Sequence, residues 1–573
     1  MPNPFDTGMS RKRFIALAGS AIAGTALSGA SRAIRRMDSR GKRRPNILLI
    51  VTDGERARKT LPPTLDLPAR RRLADSGTTF VNYQTNALAC GPARSVIYTG
   101  QHILQTGVFD NPGGGAGRRD LDTSLYPTLG QLLQAAGYFT AYKGKWHLGQ
   151  VNPESGAGYR HALQRHGFDE WQELGDYYGS GQEGHRLDPL FAADAARWLQ
   201  ERGPAIAAQR PWLLCLNLIN PHDVMYFDAT GHQEASRLDP GGGDPMLPAV
   251  SVAPYLDELE FSLPASFEES LGSKPRAHAA FNEHSDLMYG EIASTDRGSW
   301  QRYQNYYFNC LRDVDLGIAR LLDALRDSGQ EQNTIVVFTA DHGEMAGAHR
   351  MRTKGPVIYK EALDVPMVIV HPRCEGGREA NALAGSLDIV PTLLGFAGID
   401  AAVRTSRYPF LKGQDLGPVV AGPQVAGPRD QRGNLLVFSA VHASNPQPYR
   451  LRVALQRSRS RVPQFPEDFI EWSTRSFYRG VADGQYRFAR YFSPNNHHTP
   501  ESWQALLAGN DLELYDDRAD PQNLTNLAAE PLRYRELIET LNRKLLLLVK
   551  QETSAPDDGR HMPGAPSLWF GHG

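Results

Sequence analysis

Residues 46–51, Asn-Ile-Leu-Leu-Ile-Val, form a β-prone run in which no polar residue returns at every second place. A strand of that kind must be covered on both faces, a condition met by parallel sheets with helices above and below. Similar runs recur at 138–142, 212–219, 334–339 and 365–370. Between them lie apolar residues at helical spacing: Leu129, Leu132, Leu133 and Ala136; then Phe191, Ala195, Trp198 and Leu199; then Val314, Ile318, Leu321, Leu322 and Leu325. The alternation predicts an α/β fold with a large, mostly parallel central sheet flanked by helices. Residues 404–433, rich in Gly and Pro, read as a linker. Beyond it, strands at 435–440 and 486–492 and a final helix at 531–550 predict a smaller C-terminal α+β subdomain over 434–553, ahead of a tail at 554–573.

The 573 residues leave room for more than one unit, and the 62 Lys+Arg against 63 Asp+Glu hide an asymmetry. Residues 1–44 hold ten Lys/Arg and two Asp, so the rest of the chain is acidic, which argues against a nucleic-acid partner. Residues 1–30 combine a basic start, a soft apolar run and a small-residue end, the parts of an export signal, followed by a basic linker at 31–44. The apolar run is interrupted by Gly19, Ser20, Gly24 and Ser28 and is too short to span a membrane. The order Ser10-Arg11-Lys12-Arg13-Phe14-Ile15 resembles a twin-arginine signal with Lys12 in the second arginine's place, so the expected location is periplasmic or extracellular, in a bacterium. Four cysteines without C-x-x-C spacing exclude a disulfide scaffold and a thiolate zinc site.

In open α/β sheets ligands bind beyond the carboxyl ends of the strands. The runs here lead into Thr52-Asp53, Lys143-Gly144-Lys145-Trp146-His147, Asn220-Pro221-His222-Asp223 and Ala340-Asp341-His342-Gly343. Carboxylates, histidines and lysines brought to one edge suit a hard cation and an anionic substrate. Asp53 and Asp341 are natural ligands for Ca²⁺ or Mg²⁺, and Lys145 and Lys354 are point charges for the oxygens of a tetrahedral oxyanion.

The most specific segment is Ala89-Cys90-Gly91-Pro92-Ala93-Arg94-Ser95-Val96-Ile97-Tyr98-Thr99-Gly100. It resembles the C-x-P-x-R…T-G signature of the type I sulfatases, members of the alkaline phosphatase superfamily whose cysteine is oxidised to formylglycine (3-oxoalanine) by a separate maturing enzyme. The resemblance covers 45–528. It includes Gly144-Lys145-Trp146-His147-Leu148-Gly149, Asn220-Pro221-His222, Asp341-His342-Gly343-Glu344, Lys354 with Tyr359, Asp388 to Thr392, and Leu514-Tyr515-Asp516. On this resemblance, 45–403 form the catalytic domain.

The resemblance implies hydrolysis of sulfate monoesters through a covalent intermediate on residue 90. It assigns Asp53, Asp341, His342 and Cys90 to a divalent metal, Ca²⁺ first, with Mg²⁺ or Mn²⁺ as substitutes. It assigns Arg94, Lys145 and Lys354 to the sulfate oxygens, His222 to the leaving alcohol and His147 to the second proton transfer. Many family members place a second acidic ligand directly after the first, where this chain has Gly54; Glu55, Asn111 or water are the candidates to complete the shell. His342 and Asn111 resemble the branch that contains phosphonate monoester hydrolases and choline sulfatases. Two other readings stay open: a phosphonate monoester or phosphodiester hydrolase using the same site, and a catalytically weak oxyanion- or glycan-binding protein. The expected partners are a small-molecule or glycan sulfate ester and a formylglycine-generating enzyme; substrate identity and oligomeric state are not legible.

Overall fold

The computed structural model describes residues 44–113, 118–151, 158–233, 246–441, 445–457, 470–496 and 499–553. The expected signal at 1–30, nearly all of the basic linker and the tail at 554–573 lie outside the described residues.

A seven-stranded sheet runs in the order β3-β4-β1-β5-β6-β2-β7. Its strands are β1 (Asn46–Asp53), β2 (Thr78–Gln84), β3 (Phe139–Gly144), β4 (Trp212–Pro221), β5 (Thr334–Ala340), β6 (Met367–Val370) and β7 (Arg378–Gly385). The neighbours β3, β4, β1 and β5 are all parallel. Strand β1 lies among them with every residue buried. Ile47, Leu49 and Val51 point into one core with Leu129, Leu132, Leu133 and Val390, while Leu48 and Ile50 point into the opposite core with Phe191, Trp198, Ile318 and Leu321. Cover on both faces is the reason the run carries no polar alternation, and each such aliphatic side chain contributes about 1.5–3 kcal/mol on burial.

Two features depart from the sequence reading. The run at 365–370 shortens to four residues and pairs antiparallel with both β5 and β2, so the sheet is mixed at that point. Residues 404–433 are wall rather than linker: Ala401–Arg407 and Gly417–Ala421 are helices, and Tyr408, Leu416, Val419 and Val420 join the first core.

The second sheet is antiparallel throughout, in the order β11-β10-β9-β8, from β8 (Asn434–Phe438), β9 (Phe477–Ala482), β10 (Tyr486–Phe492) and β11 (Asp511–Asp516). One face packs Leu435, Val437, Val481, Phe488 and Leu514 against Ile538, Leu541, Leu545 and Leu548 of the last helix, Arg535–Thr553. The other packs Leu436, Phe438, Tyr478, Tyr491 and Tyr515 against Val357, Ile358, Tyr359 and Ala362. Those residues directly follow Lys354, so the second sheet backs the segment that delivers that lysine. Among the described residues no single helix is long and apolar enough to cross a membrane.

Candidate active site

The four neighbouring parallel strands all end on one edge, and that edge carries the chemistry. Asp53 is the last residue of β1, Lys145 follows β3, His222 follows β4, and Asp341 and His342 follow β5. Across from them Cys90 is the first residue of the helix Cys90–Thr99, all ten of whose residues are buried. The Cys90 Sγ lies 3.1 Å from His342 Nε2 and 3.6 Å from Asp53 Oδ1. Asp53, Cys90, Asp341 and His342 each present one ligand atom, and these atoms all lie within 4.8 Å of one another.

This donor set fits a divalent cation. Two buried carboxylates facing one centre repel each other unless positive charge lies between them, and carboxylate oxygens favour hard cations. His342 suits the same role: its Nδ1 lies 2.8 Å from the carbonyl oxygen of Gly343, a contact only a protonated Nδ1 can make, which leaves Nε2 as the nitrogen to face an ion.

The shell is not completed by Glu55. Its carboxylate accepts from Arg70 Nη2 at 2.6 Å and from Thr52 Oγ1 at 2.9 Å, and so serves the scaffold. Asn111 is also engaged, its Oδ1 accepting the Gly91 N–H at 2.9 Å in the first turn of the cysteine's helix. At position 54 the backbone substitutes for a side chain: Gly54, at φ +89°, donates its N–H to Asp341 Oδ1 at 3.2 Å. A side chain there would be strained at that φ.

Arg94 lies between the two carboxylates. Its guanidinium is fully buried, with Nε on Asp341 Oδ2 at 3.0 Å, Nη2 on Asp53 Oδ2 at 3.5 Å, and Nη1 on Lys145 O at 3.0 Å and Asn217 Oδ1 at 3.1 Å. With Nε and Nη2 on the two carboxylates and Nη1 on the Lys145 carbonyl and Asn217, Arg94 orients Asp341 and Asp53. Burial disfavours its charge, but Asp341 and Asp53 outweigh that and raise its pKa.

Lys145 Nζ bonds Asp53 Oδ2 and the Tyr178 carbonyl, both at 2.6 Å. Lys354 Nζ has the thioether of Met225 at 3.0 Å. A thioether is a weak acceptor, so this ammonium retains capacity for an anion. Burial would lower its pKa, but Cys90 and Asp53 raise it. For Asp53, burial pushes the pKa up, while Lys145 first, with His342 and Lys354, holds it well below the usual carboxylate range. At Cys90, burial and Asp53 push the thiol up, yet Lys354, Lys145 and His342 bring it down overall. Negative charge developing at residue 90 is therefore stabilised.

The two remaining histidines are held neutral. Burial lowers the pKa of both far below the ordinary value, helped by Lys145 and Arg94 at His147 and by Lys354 at His222. Each has a buried Nδ1 without a hydrogen-bond partner. His147 is fixed by its backbone, at φ +54°, with its N–H donated to Asp176 Oδ2 at 3.0 Å. His222 lies so close to Gly179, itself at φ +97°, that a Cβ there would stand 2.6 Å from His222 Nδ1.

The structure thus gathers Asp53, Cys90, Lys145, His147, His222, Asp341, His342 and Lys354 at one edge. Tyr359 stands outside the group, stacked on the His349 ring at 3.5 Å with its hydroxyl 3.2 Å from His278 Nδ1. Sequence reasoning missed Asn217, Asp176, Tyr178 and Met225. Asn217 lies within an apolar strand run, and Asp176 and Tyr178 in an irregular segment, so none carried a local signal.

Comparison with known proteins bears on the family and the fold. The family model described as Sulfatase matches residues 45–399. The chain is 28% identical over 404 residues to the N-acetylglucosamine-6-O-sulfatase of Bacteroides thetaiotaomicron, covering 62% of this chain and 68% of that protein. Among solved structures it is similar in fold to BT1596, a 2-O GAG sulfatase, with TM-score 0.63 and 20% identity over 89% of this chain and 92% of that one. It is likewise similar to the phosphonate monoester hydrolase of Agrobacterium radiobacter, with TM-score 0.59 and 19% identity over 89% and 96%.

Proposed function

The chain belongs to the sulfatase family, whose members are sulfuric ester hydrolases, and from that premise we propose that it cleaves sulfate monoesters with residue 90, matured to formylglycine, as nucleophile. The observation that carries this reading is the convergence of Cys90 with Asp53, Asp341 and His342 inside 4.8 Å, under two ammonium groups and two neutral histidines. A hydrated aldehyde at position 90 would supply an oxygen nucleophile, and a divalent cation, Ca²⁺ first by donor type, would supply Lewis acidity. Asp53, Asp341 and His342 would hold that cation, and Arg94 would keep both carboxylates aimed at it.

The chain's own groups do the rest. Lys354 and Lys145 bind the oxygens of the ester and offset the charge that grows on them, an effect worth about 2.7–4 kcal/mol per well-placed donor. His222 is the group that would donate its proton to the leaving alcohol oxygen. Burial first, and then the field of Lys354, keeps His222 neutral in the free protein, and a bound sulfate ester would offset that field. His147 would accept the proton released when sulfate is expelled. The basic, apolar residues 1–30 support export to the periplasm or beyond, and maturation of Cys90 would require a formylglycine-generating partner.

The test is one preparation, co-expressed with a formylglycine-generating enzyme, assayed against an aryl sulfate, a sulfated monosaccharide, a phosphonate monoester and a phosphodiester. The expected result is turnover of sulfate esters, a tryptic peptide 73–94 about 18 Da lighter than the thiol form, and loss of activity of about 10³-fold or more in Cys90→Ala. Preferred turnover of the phosphonate would reassign the substrate. Binding of sulfated ligands without product would make the protein a binding module.

A further inference from the structure

Residues 171–182 form neither helix nor strand, yet four consecutive residues of this stretch, 176–179, reach three groups of the active site. The Asp176 carboxylate accepts the Trp146 N–H at 2.8 Å and the His147 N–H at 3.0 Å. The Tyr178 carbonyl accepts from Lys145 Nζ at 2.6 Å, and the Tyr178 ring lies 4.9 Å from that of His147. Gly179 stands against His222 where no side chain fits. Both ends of the stretch are tied down. Upstream, the Gln172 side chain accepts the Gly144 N–H at 2.8 Å and donates to the Gly144 and Gly175 carbonyls, each at 2.9 Å. Downstream, the N–H groups of Gly179 and Ser180 both meet Glu183 Oε2 at 2.9 Å, on the first residue of the helix Glu183–Glu201.

A catalytic histidine is ordinarily aimed by a carboxylate or carbonyl on one ring nitrogen. The buried Nδ1 of His147 has no such partner. Its backbone is instead the part that is held, at φ +54°, a left-handed conformation uncommon for any residue but glycine. Two successive N–H groups converging on one carboxylate form a concave anion site, and bonds to a charged acceptor are the stronger kind. With Nδ1 unpartnered, the direction of the imidazole rests on this clamped backbone and on the Tyr178 ring. Burial pushes the Asp176 carboxyl up to about 6, against the two N–H donors, Lys145 and Arg94. A neutral amide of the same outline is therefore no burden to the fold, but it replaces one acceptor oxygen with a donor that cannot meet the second N–H.

We propose that Asp176 is a positioning residue for the second half of the reaction, holding the left-handed backbone at His147 and so aiming the imidazole that takes the proton when sulfate is expelled. In that step His147 takes the proton of the free hydroxyl on Cβ of residue 90; the released electron pair closes the C=O bond, and the Cβ–O bond breaks with its pair leaving on sulfate. The inference rests on the sulfate-ester reading and adds that release of the alcohol is independent of Asp176.

The test uses the full chain at about pH 8, where the Asp176 carboxylate is charged. In single turnover of an aryl sulfate, with phenol and sulfate assayed separately, Asp176→Asn should release phenol within threefold of the wild-type rate and sulfate at least tenfold more slowly, the missing sulfate being found on peptide 73–94. In steady state kcat and KM should fall together, leaving kcat/KM within threefold of wild type. On the unmatured thiol protein, hydrogen exchange should speed at 145–148 and stay unchanged at 220–224. Tyr178→Ala, at a side chain 47% exposed, keeps the carboxylate and removes only the ring beside His147, so it should show the same pattern more weakly even if Asp176→Asn folds poorly. Equal slowing of both products with a fall in kcat/KM beyond threefold, or sulfate release at the wild-type rate, would overturn the proposal. Wild-type protein that cleaves no sulfate ester would instead remove the sulfatase reading, and exchange at 145–148 would still decide whether Asp176 holds His147.

Discussion

The strand-end edge of the large sheet and the buried ionic cluster at the end of the last helix both place charge where water does not reach, and they differ in how that charge is met. In the cluster, Glu552 accepts from Arg429 Nη1 at 2.5 Å and meets His102 Nε2 at 2.6 Å, while Arg429 also grips Asp388. The strand-end edge leaves two imidazole nitrogens without partners and one ammonium facing only a thioether. Paired buried charge makes a fixed joint; incompletely met buried charge keeps free energy available for a ligand. The same contrast separates Glu55, fully engaged by Arg70 and Thr52, from Asp53 two residues earlier.

The contrast can be broken from either side. Besides the loss expected for Cys90→Ala, removing a carboxylate from the cluster, as in Glu552→Ala, should cost about 3–5 kcal/mol of stability in a denaturant titration, with activity per folded molecule retained. A loss of activity without loss of stability would show that the cluster is more than a joint. The reverse substitution, His222→Gln, should lower kcat by about 10²-fold or more and leave the denaturation midpoint within about 0.5 kcal/mol of wild type. It should also flatten the pH profile: wild-type kcat/KM should fall as pH rises, because free His222 is held neutral by burial and Lys354, and the variant should lose that limb.

A smaller effect sharpens the comparison by pH alone. Burial raises the pKa of Glu552, but Arg429, His102 and Arg432 bring it down to about 2; at Asp364 burial is likewise overcome by Arg487 and Lys59, again to about 2. Both folded-state values lie below those of the unfolded chain. Each group therefore stabilises the fold fully above about pH 4.5, by about 2–3 kcal/mol, and loses that contribution as pH falls toward about 2. Asp176 beside His147 behaves oppositely, pushed up by burial to about 6 despite two backbone donors, so its contribution is present at low pH and lost as pH rises through about 6. Acid titration of the fold should therefore report the paired clusters, and the region beside His147 should change nearer neutrality. Hydrogen exchange resolved by segment would separate the two.

The parallel half of the large sheet was legible because strands covered on both faces write themselves as unbroken apolar runs. Strands β2 and β7 were not, since Thr78–Gln84 and Arg378–Gly385 carry polar residues on partly exposed faces. The convergence of Asp53, Lys145, His222, Asp341 and His342 on one edge was readable because each lies two or three residues beyond the end of such a run. The C-x-P-x-R motif places an arginine at position 94 but does not say which oxygens it meets; in the structure they belong to Asp341, Asp53, Asn217 and the Lys145 backbone. The clamp at Asp176 was invisible for a related reason: a carboxylate in an irregular stretch does not say which backbone N–H groups it faces, and Trp146 lies 30 residues earlier.

The backing of residues 357–362 by the second sheet also sets a schedule. Cys90, 1% exposed in the finished fold, is made early, whereas the strands that brace the Lys354 segment end at Asp516. Roughly 400 residues separate the two, and at about 5–20 residues per second the ribosome needs on the order of 20–80 s to cover that distance. On the proposed reading, that interval is when the thiol would be open to a maturing enzyme, before the last strand is laid down and Cys90 is enclosed.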